Sequence, residues 1–126
     1  NSVRSGGIYP MHKGASNRVL LAFLPPHEQQ RYMDGLSMHG SARQALEAKL
    51  EEIAACGYDF SEGTLTPGRF GLGFPLFDRS RNLVGAISTG GYISELTDQS
   101  KQTLVRKFGE VAEQINLAMG AFPSME

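Results

Sequence analysis

The sequence predicts a mixed α+β domain in which an antiparallel sheet is flanked by helices, and three observations predict it. Apolar residues recur at helical spacing up to residue 56, two segments of alternating character face each other across a polar turn at 78–82, and helical spacing returns after Thr97. Helices, then a hairpin, then a helix make a layered α+β domain and not the strand–helix alternation of a nucleotide-binding fold. A chain of 126 residues buries roughly two thirds of its unfolded surface around one core, so residues 1–126 are expected to form a single domain.

Residues 3–10 read as a short strand or extended entry, since Pro10 disfavours helix in the residue before it. A first helix is expected over 15–24, with Val19, Leu20 and Phe23 on one face, and Pro25 and Pro26 stop it. A polar helical stretch follows over 27–36. Ser41 and Gln44 have the spacing of a capping box, which predicts a helix over 42–56 with Leu46, Leu50 and Ile53 inward and Gly57 as its left-handed closing residue.

Residues 58–60 are expected to form a short strand and 61–68 a loop punctuated by Gly63 and a Thr66-Pro67-Gly68 turn. Over 69–77, Phe70, Leu72, Phe74 and Leu76 alternate with Gly71, Gly73 and Pro75, so one strand face is bulky and the other bare. Residues 83–90 return as the partner strand, with Ala86, Ser88 and Gly90 together on one face and Gly91 breaking it. Thr97 then caps a helix over 98–119 whose stripe is Leu104, Phe108, Val111, Ile115 and Ala118. Gly120 and Pro123 end it.

Twelve Lys and Arg against thirteen Asp and Glu give a net charge of -1, with the basic residues scattered. Direct nucleic-acid binding normally needs a basic stripe, so these residues are not expected to touch DNA themselves. No apolar run approaches the roughly 20 residues of a membrane span, and no signal peptide opens the chain, so a soluble, cytoplasmic protein is expected. The single cysteine, Cys56, excludes an internal disulfide.

Most candidates for chemistry have a plainer reading. Gly71-Leu72-Gly73 resembles part of a dinucleotide fingerprint, but a strand continues where that motif needs a helix. His12, His27 and His39 lack metal-ligand spacing, and Cys56 is expected to be a buried, unreactive thiol. Asp59 and Glu62 read as a solvated loop and not as a catalytic carboxylate pair. The start of the first helix is more informative. Gly14, Ala15 and Ser16 are small, and unbonded N–H groups there carry the positive end of the helix dipole, which suits an anion. If Gly71, Gly73, Ser88 and Gly90 face the same cavity, the result is a recess for a small acid.

With these residues in view, four blocks together resemble the effector domain of the isocitrate lyase regulator (IclR) family. They are Pro10-Met11-His12 with VLLAFLP at 19–25, Gly57-Tyr58, Pro67-Gly68 leading to Pro75-Leu76-Phe77-Asp78, and VGAISTGG at 84–91 before Leu96-Thr97. The resemblance covers nearly the whole chain from Arg4 to the final helix. It implies a GAF/profilin-like sensor, joined in the family to a winged-helix DNA-binding domain and commonly dimeric or tetrameric. It also implies that this chain lacks that winged helix and the early strands and helix of the usual sensor. The implied ligand is a small organic acid, held by the amides of Ala15 and Ser16 and the hydroxyl of Ser88.

Three matched positions depart from the family's pattern. Ser61 stands where the resemblance implies an acidic loop residue, Gly71 where it implies a strand cysteine, and Gly90 where it implies a second strand serine. Those changes remove charge and volume, so a roomier pocket is expected, accepting an aromatic or branched carboxylate. Binding is then expected to shift the arrangement of a homodimer or homotetramer and so the spacing of attached DNA-binding domains. No cofactor, metal or catalytic residue is expected. Two other classes stay open: a small enzyme acting on a carboxylate, with a serine among Ser16, Ser61 and Ser88 and His12 as base, and an oligomerisation module whose glycines merely allow close packing.

Overall fold

A computed structural model describes residues 14–63 and 66–121. The expected entry strand at 3–10, His12 and Pro123 lie outside the described residues. Three helices come first, α1 (Ala15–Ala22), α2 (Pro26–Gly35) and α3 (Gly40–Cys56). A three-stranded antiparallel sheet follows in the order β1 (Asp59–Glu62), β2 (Arg69–Phe77), β3 (Leu83–Tyr92). A short 3-10 turn (Ile93–Glu95) leads into α4 (Asp98–Ala118). The α+β class is as the sequence predicts.

The alternation in β2 sorts the layers. Its odd positions face α1, since a β-carbon built at Gly73 would lie 3.0 Å from the carbonyl carbon and oxygen of Ala15. Its even positions face α4, where Phe74 meets Phe108 at 6.0 Å between ring centroids. Between the sheet and α3, α1 buries Val19, Leu21 and Ala22 against Leu50 and Ile53, with Ala86 of β3 packed alongside. Fully burying a Leu or Ile contributes about 1.5–3 kcal/mol each, so this cluster is the main anchor of α1.

The ends of α1 are managed without side-chain caps of the usual kind. Gly14 enters at φ 85°, a left-handed conformation that favours glycine, and makes no side-chain cap hydrogen bond. At the other end, Gln29 Nε2 donates to the carbonyls of Leu21 and Ala22, both at 2.9 Å, satisfying acceptors that the helix itself leaves open. Pro25 and Pro26 do stop α1, and Pro26 at once opens α2, where its missing N–H costs nothing.

Several boundaries differ from expectation. The helix α3 starts at Gly40 with His39 as N-cap and no side-chain cap bond, so Ser41 and Gln44 form no capping box. Gly57 closes it as expected, at φ 89°. The strand β3 runs through Gly91 to Tyr92, because the Phe70 ring fills the space beside Gly91 and pairing continues to Arg69↔Tyr92. Thr97 caps α4 as predicted, accepting from Ser100 N at 3.0 Å while Ser100 Oγ accepts from Thr97 N at 2.8 Å. On α4 the inward residue is Ala112, 3% exposed, whereas Val111, 45% exposed, faces out. Asn116, unread in the sequence, ties α4 to β2 by accepting from Phe77 N at 2.8 Å and donating to Pro75 O at 3.2 Å.

The hairpin at 78–82 works as polar turn chemistry dictates. The Asp78 carboxylate accepts from the backbone of Ser80 and Asn82, both at 2.9 Å, and Arg81 adopts φ 65°. Cys56 is exposed, contrary to the expected buried thiol, because the last turn of α3 leaves it on the outer side.

Candidate functional site

The first turn of α1 lies over Gly71 and Gly73, on the sheet face that Ser61, Ser88 and Gly90 share. Register explains this. Ser61 of β1 pairs with Gly71 of β2, and Gly71 pairs with Gly90 of β3, so these three form one row across the sheet. The next row on that face is Asp59, Gly73 and Ser88. Above them, Ala15 stands over Gly71, whose built β-carbon would meet Ala15 Cβ and Ser61 Oγ at 3.4 Å and Ala15 N at 3.7 Å. Ser16 Cα would be 3.1 Å from a β-carbon at Gly73.

The glycines do not, however, leave the open space that a bare strand face suggests. The backbone of α1 fills the room at Gly73, and Ala15 fills part of that at Gly71. Gly90 is needed for its own backbone, since a β-carbon there would be 2.6 Å from Phe70 O. On this face Ser88 and Gly90 are exposed. Ser61 is buried and belongs to β1, not to a loop.

The amides of Ala15 and Ser16 are in the first turn, where a helix supplies no acceptors, so their N–H groups suit an anion. Beside them is a feature the sequence reading missed. Asp59, expected in a solvated loop, is 1% exposed. Its carboxylate takes a two-pronged ion pair from Arg18, Nε to Oδ2 at 2.6 Å and Nη2 to Oδ1 at 3.0 Å, and Lys49 Nζ lies 3.8 Å from Oδ1. Two cations thus surround one carboxylate next to the first turn. Glu62 is exposed and takes no part.

Among the described residues no group of three His, Cys, Asp or Glu could hold a metal ion. His27 and His39 are exposed. A separate recess of 340 Å³ lies between α4 and the end of β2, lined by Phe23, Phe74, Phe77, Ala112 and Leu117, and contains none of the six residues singled out in the sequence. Among the described residues no helix is long and apolar enough to cross a membrane.

The family model for the bacterial transcriptional regulator IclR C-terminal matches residues 2–117. The HTH-type transcriptional regulator KipR of Bacillus subtilis is 29% identical over 88% of this chain and 47% of its own length. The transcriptional repressor IclR of Escherichia coli is 28% identical over 91% of this chain and 44% of its own length. The chain therefore spans about half the length of the curated relatives it matches. Among solved structures, the repressor BlcR of Agobacterium tumefaciens superposes with a TM-score of 0.82 at 22% identity, covering 97% of this chain and 51% of that one, a likeness of fold.

Proposed function

The chain belongs to the family of bacterial transcriptional regulator IclR C-terminal domains, and from that premise we propose that it is the effector-binding half of such a regulator, taking a small organic acid. Its relatives are transcriptional regulators and not enzymes. The observation that supports the reading is the placement of Ala15 and Ser16 over Gly71 and Gly73, on the sheet face that Ser61, Ser88 and Gly90 share. The carboxylate is received by the two amides, as at any helix start suited to an anion, and the Ser88 hydroxyl donates a further hydrogen bond.

The organic portion extends over Gly90, which is exposed, so aromatic or branched acids are the expected class. Binding shifts a homodimer or homotetramer between arrangements and so changes the spacing of winged-helix domains in the whole cytoplasmic protein. A second reading has its own observation. The backbone of Ala15 sits where a β-carbon on Gly73 would be only 3.0 Å away, so close packing alone accounts for this glycine, and an oligomerisation module without ligand would need nothing more.

Thermal melts with glyoxylate, pyruvate, 4-methyl-2-oxopentanoate and benzoate separate the two. An acid at a hundred times its dissociation constant adds about 2.7 kcal/mol of stability, which raises the melting temperature by several degrees. If no acid moves the melting temperature, the oligomerisation reading stands. If only glyoxylate and pyruvate do, the expectation of a larger acid fails.

A further inference from the structure

We infer that the buried Arg18–Asp59 ion pair is the positioning element of the acid site, setting the first turn of α1 over β2; this rests on the reading of that turn as the carboxylate receptor. Burying a carboxylate is costly unless it is paired with good geometry, and the Asp59 side chain is 0% exposed. The pairing is of the demanding kind. Both Asp59 oxygens are engaged by two nitrogens of a planar guanidinium, which fixes orientation as well as distance.

The two partners are also in the right places. Arg18 is three residues after Ala15, so it lies one turn beyond the proposed amides on the same side of α1. Asp59 pairs with Gly73, the residue whose space the Ala15 and Ser16 backbone occupies. The ion pair therefore ties α1 to the row of the sheet on which its first turn rests. Gly14 supplies no side-chain cap to that turn, which gives the tie more to do. A site displaced by about 1 Å loses much of its binding geometry, so a clamp here acts on affinity through the amides and not by touching ligand.

Charge alone predicts the reverse. With Lys49 at 3.8 Å, two cations face the one carboxylate, and neutralising Asp59 leaves more positive charge beside the proposed anion site. A purely electrostatic role for the cluster thus predicts tighter acid binding by Asp59→Asn. A positioning role predicts weaker binding.

The experiment uses this chain as wild type, Asp59→Asn, Arg18→Lys and Phe108→Leu, the last trimming the opposite sheet face as a control for lost stability. Affinity for benzoate is measured by calorimetry, with pyruvate in parallel, below the melting range of every variant. Asp59→Asn should weaken binding at least tenfold and Arg18→Lys, which keeps charge but loses the fork, several-fold. Phe108→Leu should stay within twofold of wild type. Without ligand, exchange of the Arg18 amide, which donates to Gly14 O at 2.9 Å, should accelerate in the two ion-pair variants and not in Phe108→Leu. Unchanged or tighter binding by Asp59→Asn overturns the inference, as does unaltered exchange at Arg18. If neither acid binds wild type, the acid reading fails, and the exchange measurement still decides whether the pair positions the turn.

Discussion

The two faces of β2 solve opposite packing problems with one alternating sequence. Toward α4, the strand presents Phe70, Leu72, Phe74 and Leu76, and rings fill the layer: Phe74 stacks on Tyr58 at 5.2 Å and Phe70 on Phe60 at 5.3 Å, with the Lys101 ammonium 4.4 Å from the Phe60 centroid. Toward α1, the same strand presents Gly71 and Gly73, and a helix backbone comes down onto them. Bulk on one side and its absence on the other make the α4 face a packed layer and the α1 face a close backbone junction with polar groups at its edge. The junction is therefore intolerant of added atoms and of lost charge pairing, while the packed layer is sensitive to lost volume.

Variants can break that contrast. The largest effect is expected on the α1 side from Arg18→Met, which among the described residues leaves the buried Asp59 only Lys49 at 3.8 Å; removing one partner of a buried pair costs about 3–5 kcal/mol, read from urea unfolding. Gly73→Ala comes next. Its new methyl meets backbone at 3.0 Å, and such overpacking costs about 1–3 kcal/mol. Gly85→Ala sharpens the comparison, because a β-carbon there has nothing within 4 Å, and its unfolding free energy should change by no more than about 0.5 kcal/mol. If Gly73 and Gly85 respond alike, close approach is not what Gly73 is for.

An effect between those of Gly73→Ala and Gly85→Ala belongs to the far end of the α4 side. Thr97→Ala removes the cap accepting from Ser100 N and should lower stability by about 1 kcal/mol. It should leave acid affinity unaltered.

What the sequence disclosed follows the same divide. The bounds of β2, the Gly57 closure and the Thr97 cap are local patterns, and each appears in the structure where the residues place it. The row Ser61–Gly71–Gly90 was legible in part, since alternation puts Gly71 and Gly73 on one face, but the register that aligns the row is a pairing between strands. Asp59 was misread because its burial depends on Arg18, 41 residues away, and no periodicity marks a charge that will be paired. On α4 the buried position is Ala112 and not Val111, and the small Gly109 one turn earlier admits the Phe74 ring, so small residues mark this contact better than large ones do. Glycine gave a misleading signal on the α1 side. It announced missing side chains, and the space proved to hold a neighbouring backbone.

On the proposed reading an acid is received at the first turn of α1 beside the Ser61 and Ser88 strands. Titrating the 15N-labelled chain with benzoate while following backbone amide resonances tests it most directly. Saturable shifts are expected to be largest at Ala15 and Ser16, with smaller ones at Ser61, Ser88 and Gly90. Saturable shifts confined to the recess between α4 and the end of β2, around Phe77, Ala112 and Leu117, would contradict it.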